Sequence, residues 1–113
     1  MEKSKIKMYM TRGFISNVEP DVQAKIMEYA LKHLDKKTDM VVFYPHRVNT
    51  HYEDENRTLI TFMDGLTQKV YAILDDFGEP SEWGKMYEPS IVKRLREAPN
   101  CRYTITFMLA DEY

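Results

Sequence analysis

From Cys101 to Leu109 the chain alternates: Tyr103, Ile105, Phe107 and Leu109 point one way, Arg102, Thr104, Thr106 and Met108 the other. A period of two belongs to a strand with one apolar face. That face has to be covered, whereas the opposite face can be solvated. A chain ending this way needs a sheet and a layer laid over one side of it.

The best candidate for the layer lies early. Val22, Ile26, Tyr29, Ala30, His33 and Leu34 recur at helical spacing. Pro20 at the first helical position costs no hydrogen bond, and Glu19 and Asp21 suit the positive end of the helix dipole. The spacing predicts a helix over 20–35.

Three further strands are expected. In 6–14, Ile6, Met8 and Met10 share one face, and Gly13 with Ser16-Asn17 supplies a turn. Residues 39–48 centre on Val41 to Tyr44, and Pro45 places them at an edge or ends their pairing. Residues 49–56 are polar and acidic and read as a solvated loop. Residues 57–63 return as a strand, which makes 39–63 a long hairpin.

Residues 66–77 fit two patterns. Leu66, Val70, Ile73, Leu74 and Phe77 match a helix closed by Gly78, whereas Val70, Ala72 and Leu74 match a strand. The longer match predicts a helix. A connector over 79–88 carries Trp83, and Glu88-Pro89-Ser90 opens a short helix to Glu97, broken by Pro99-Asn100.

The expected fold is α+β, a small antiparallel sheet with helices on one face. Its order, β-α-β-β-α-(α)-β, is that of a ferredoxin-like split βαβ unit with an extra helix. A strand at 66–77 would add a member to the sheet and weaken that likeness. With 113 residues, 1–113 reads as a single domain burying roughly 65% of its unfolded surface.

Charge and cysteine content narrow the setting. A net charge of −2 gives no global field for nucleic acid or an anionic membrane. One cysteine, Cys101, excludes an intrachain disulfide and a cysteine zinc cluster. No apolar run approaches the ~20 residues of a spanning helix, and the lysines at 3, 5 and 7 precede no apolar signal core. The expected location is cytoplasmic, away from membranes.

Catalytic chemistry finds no foothold in the residues. Ser16, Ser81 and Ser90 lie in no nucleophile elbow. Cys101 has Arg96 and Arg102 nearby in sequence, yet reads as a structural thiol. Gly13, Gly65, Gly78 and Gly84 form no phosphate-binding fingerprint. His33 reads as a partly buried structural histidine. His46 and His51 near Glu53, Asp54 and Glu55 match no ligand spacing. Asp75-Asp76 and Glu79 with Glu82 form a solvated acidic run. The expectation is a protein that is not an enzyme, with no catalytic residue, metal or cofactor.

Binding is the remaining class. Tyr44, Tyr52, Trp83, Met86 and Tyr87 fall in expected loops or element ends, and aromatic and methionine anchors are enriched at interface centres. Trp83, Met86, Tyr87 and Tyr52 are the expected protein contacts. Nucleic acid is the alternative partner. Lys3, Lys5, Lys7 and Arg12 would merge with Lys93, Arg94, Arg96 and Arg102 if the first and last strands are neighbours. An open edge at 39–48 would support a homodimer.

The two ends carry a further signal. Tyr9-Met10-Thr11-Arg12-Gly13-Phe14, then Val22-Gln23, and Met108-Leu109-Ala110-Asp111-Glu112-Tyr113 resemble the "domain of unknown function 960" family of low-GC Gram-positive bacteria. The likeness covers about a third of the chain and implies a small bacterial or phage protein of unassigned activity. Small standalone domains without a catalytic site often regulate or inhibit a host protein, and that is the role expected here. In an antiparallel arrangement, Arg12 would pair with Asp111 or Glu112.

Overall fold

Alternation at the C-terminal end does build a sheet, and its partners come from both halves of the chain. The structure, a computed structural model, describes residues 6–113. Six strands run β1 Ile6–Met10, β2 Met40–Tyr44, β3 His51–Glu53, β4 Thr58–Phe62, β5 Val70–Asp76 and β6 Tyr103–Leu109. Four helices accompany them: α1 Arg12–Asn17, α2 Pro20–His33, α3 Trp83–Met86 and α4 Pro89–Glu97. The strands form one sheet in the order β1-β6-β5-β2-β4-β3.

The architecture is α+β, but the sheet is mixed rather than antiparallel. β1 pairs with β6, and β2 with β4, in parallel; β5 pairs antiparallel with β2 and β6, and β3 with β4. The expected hairpin over 39–63 is therefore corrected. The chain leaves β2 at Pro45 and descends as β3 on the outer side of β4 before climbing as β4 itself. The tight hairpin is β3–β4, and Asp54, Glu55 and Asn56 turn it with positive φ angles. β2 lies inside the sheet, so 39–48 offers no open edge for a dimer.

A second correction falls at 66–77. Its centre is β5, not a helix. Val70, Ala72 and Leu74 are buried on one face, and Tyr71 and Ile73 lie on the other. Leu66, which lengthens the helical match, is a buried loop residue. Gly65 beside it has φ +94°, and a Cβ there would stand 2.8 Å from Val22 Cγ2. The strand replaces the second helix on which the ferredoxin-like likeness rests.

At the start, β1 ends at Met10 rather than continuing to Phe14. Thr11 caps α1 by accepting the Phe14 N–H at 3.2 Å. Asn17 Nδ2 then donates to Gly13 O at 2.9 Å. Gln23 joins the two helices, donating through Nε2 to Val18 O at 2.7 Å and Ile15 O at 3.2 Å.

One face of the sheet is covered. Phe14 and Val18 follow from α1; Val22, Ile26 and Ala30 come from α2, with Leu34 at its end. They pack on Val41, Phe43, Leu59, Val70, Ala72, Leu74, Ile105, Phe107 and Leu109. The register carries Met8 and Met10 on this same face beside Ile105 and Phe107, at its β1 edge. The other face holds Tyr9, Thr106, Met108, Tyr71, Ile73, Tyr44 and Phe62, with Val42, Ile60 and Thr104 buried among the strands, and it contributes nothing to the core cluster.

A small annexe fills the β5–β6 connection. A turn of 3-10 helix at Pro80–Glu82 leads into α3. Trp83 is 0% exposed, and its Nε1 donates to Phe77 O at 3.0 Å and Gly78 O at 3.1 Å. Arg96 of α4 lies over its ring. Among the described residues, no helix is long and apolar enough to cross a membrane.

Candidate functional site

The two terminal motifs meet. β1 and β6 run parallel, so the end of β1 and the end of β6 emerge at the same end of the sheet. There the Glu112 carboxylate accepts the Thr11 hydroxyl at 2.6 Å, the Leu109 N–H at 2.9 Å and the Gly13 N–H at 3.2 Å. These bonds hold its carboxyl below the ordinary glutamate range, the Thr11 hydroxyl contributing most. A Cβ at Gly13 would lie 2.5 Å from Glu112 Oε1, so glycine is what lets the carboxylate approach. The Arg12 ion pair expected from an antiparallel arrangement is corrected: the partners are Thr11 and Gly13, and Arg12 stands exposed.

This junction fixes the exposed edge of the sheet. Thr11 N–H donates to Phe107 O, so the odd-numbered residues of β1 turn their backbone groups to β6. Those of Met8 and Met10 face away from the sheet. Their side chains are 39% and 40% exposed, with Tyr9 at 41% and Ile15 of α1 at 52%. Four of the seven large apolar side chains exposed among the described residues thus stand along β1 and α1, and a fifth, Tyr113, follows Glu112. The opposite edge differs. β3 is three residues long, and His51 and Glu53, bonded to each other at 3.2 Å, occupy its solvent-facing positions. Short, charged edges deter strand addition; β1 is longer and carries its one charge at Lys7, ahead of the apolar run Met8 to Met10.

The expected protein-binding residues are dispersed. Trp83 is buried and bonded to backbone, so it is core to the annexe rather than a surface anchor. Tyr87 is half-buried, its hydroxyl donating to Phe77 O at 3.0 Å. Met86 is exposed, with its thioether over Gly78. Tyr52 is exposed on β3, at the far edge of the sheet. An open depression of about 570 Å³ between α3 and α4 is lined by Tyr87, Val92, Lys93 and Arg96.

The expected basic patch is likewise divided. Lys5 and Lys3 lie outside the described residues. Lys7 is exposed on β1, opposite Thr104. Lys93, Arg94 and Arg96 are exposed on α4. Arg102 is spent on carboxylates, bonding Asp76 through Nε at 2.8 Å and Glu79 through Nη1 at 2.9 Å. Those bonds raise its pKa further and hold Asp76 below the ordinary aspartate range.

Cys101 donates through Sγ–H to Tyr103 O at 3.2 Å, and both guanidiniums expected near it are held elsewhere. His33 is half-buried with its ring against Tyr29, centroids 4.2 Å apart. His51 approaches Asn49 O at 2.6 Å and Glu53 Oε1 at 3.2 Å, and these bonds raise its pKa, the Asn49 carbonyl first. Among the described residues, no three His, Cys, Asp or Glu side chains stand together to hold a metal ion.

The uncovered face carries a feature of its own. Tyr113 packs edge-on to Tyr71 at 5.4 Å. Lys69 Nζ stands 5.9 Å from the Tyr71 ring centre and 5.2 Å from that of Tyr44. Phe62 is the register partner of Tyr44, and the Arg47 guanidinium lies 5.3 Å over its ring. Comparison of the chain with protein-family models, curated proteins and solved structures finds no match to any of them.

Proposed function

We propose that this is a non-enzymatic binding module that takes up an extended segment of a partner protein along β1. The observation that carries the reading is the exposed edge itself. Met8 and Met10 present outward backbone groups and half-exposed apolar side chains on the same strand. Strand addition draws affinity from the main chain and specificity from alternate side chains. The segment that fits has apolar residues at every second position, to cover Met8, Met10 and Ile15, and is uncharged opposite Tyr9. Methionine suits such a surface because it repacks around different neighbours.

The Glu112 junction supports the same reading. It pins the end of β1 at Thr11 and Gly13 and so holds the edge in extended form before a partner arrives, which lowers the ordering cost of binding. The lone cysteine suits a reducing, cytoplasmic setting.

Proline at position 8 tests the edge, because the Met8 N–H points away from the sheet and is not used by β6. Wild-type protein and Met8→Pro are immobilised and offered a bacterial lysate treated with nuclease. The reading expects a protein that the wild type retains and Met8→Pro loses, with melting temperatures of the two alike. A protein retained equally by both contradicts it.

A further inference from the structure

We propose that the uncovered sheet face is a second binding site, independent of the β1 edge, for single-stranded nucleic acid. Tyr71, Tyr44 and Phe62 sit on three neighbouring strands, β5, β2 and β4, at the same end of the sheet. Tyr113 extends the row beyond Tyr71, and the cations Lys69 and Arg47 are held over its rings. Adjacent strands are about 4.8 Å apart, so Tyr71 to Phe62 spans roughly 10 Å. That is room for about three bases stacked at ~3.4 Å.

Charge selects the occupant. Among the described residues, neither Lys69 nor Arg47 pairs with a carboxylate, so neither charge is neutralised beside the row. Two cations held over rings rather than over acids make a surface suited to flat, anionic polymers. Aromatic faces take bases without regard to sequence, and guanidinium groups take either a base face or a phosphate. Carboxylates of this face lie apart from the row: Asp75 is at the other end of β5, and Glu53 is bonded to His51. An open depression of about 720 Å³ beside Arg47 and Phe62 gives the strand a way off the sheet. A duplex, whose base faces are buried in its own stack, does not fit.

The test is fluorescence anisotropy of labelled twelve-nucleotide oligo-dT and oligo-U, with a duplex of equal length alongside. Single strands are expected to bind in low salt, and affinity to fall as salt rises. Lys69→Gln and Arg47→Gln together should flatten the salt slope by roughly 1.4, or ~0.7 for each phosphate no longer neutralised. Tyr71→Leu, which keeps an apolar side chain on the strand, should weaken binding about tenfold, within the range set by removing one stacking platform. Met8→Pro should bind the oligonucleotide as the wild type does, so this site and the β1 reading fail separately. Absence of binding in low salt overturns the proposal. So does binding that all three face substitutions leave unchanged, or a duplex bound as tightly as the single strands. Thermal melts confirm that each variant is folded before titration.

Discussion

The Thr11 hydroxyl and the Glu112 carboxylate are 101 residues apart in sequence and 2.6 Å apart in space. The same hydroxyl accepts the Phe14 N–H that starts α1, so one side chain joins the first helix to the last strand. Because Glu112 accepts three donors as an anion, its contribution depends on pH. A carboxylate whose folded pKa is depressed stabilises the fold above its unfolded pKa, about 4.3, and loses that stabilisation as pH falls through the folded value. Glu112→Gln should therefore melt below the wild type at neutral pH, and the gap should close in acid. A gap that stays constant from neutral pH into strong acid would show that the charge is not what the junction uses.

Gly13 and Glu112 should be coupled in sign. Gly13→Ala alone pushes a methyl group into the carboxylate and should destabilise the protein. Once Glu112→Ala has emptied that space, Gly13→Ala becomes an ordinary helical substitution worth about 0.5–1 kcal/mol in favour of folding. Chemical denaturation of the two single variants and the double variant measures the cycle. Additive effects would mean that the close approach does not matter.

Trp83 fills the annexe and satisfies two carbonyls. Trp83→Ala should cost about 3–5 kcal/mol, as large aromatic truncations in cores do. Trp83→Phe keeps most of the packing and leaves Phe77 O its Tyr87 hydroxyl donor, but Gly78 O loses the indole N–H, a cost of about 1–3 kcal/mol. Urea titration separates the two, and a near-neutral alanine variant would place the indole at the surface.

Asp75 works against the fold. Partial desolvation at the sheet surface raises its carboxyl above the ordinary aspartate range, and the neighbouring charge of Asp39 adds to the shift. A raised folded pKa means a penalty that is complete above that value and absent below the unfolded pKa, about 3.9. Asp75→Asn should thus raise the melting temperature at neutral pH and leave it unchanged at a pH below about 3.9. An increase that persists in acid would show that the charge of Asp75 is not its cause.

Where burial follows a clean period, the fold is legible in the sequence. In β6 all four odd-numbered residues are buried, and in α2 Val22, Ile26 and Ala30 are, at the expected spacing. β3 reads as a loop because both its faces are exposed, so nothing in His51-Tyr52-Glu53 alternates. β5 reads as a helix because Leu66, buried for a local reason beside Val22, falls at helical spacing from Val70. α1 buries Phe14 alone, too little for a period, and its one signal is Thr11 placed to cap it. The Glu112 junction needs β1 parallel to β6, and strand direction leaves no mark on either strand. Trp83 reads as an anchor because a lone tryptophan in a polar connector has no neighbours in sequence to reveal its pocket. The β1 edge does leave a sign. Met8-Tyr9-Met10 is apolar on both faces, which a strand with one solvated side does not need to be.

A photoreactive p-benzoylphenylalanine placed at position 8, and in a second protein at position 52, tests the β1 reading most directly. Irradiation in living bacterial cells captures whatever lies against each sheet edge. A discrete protein adduct from position 8, with none from position 52, is the expected result. An adduct from position 52 with none from position 8 would contradict it and move the interface to β3.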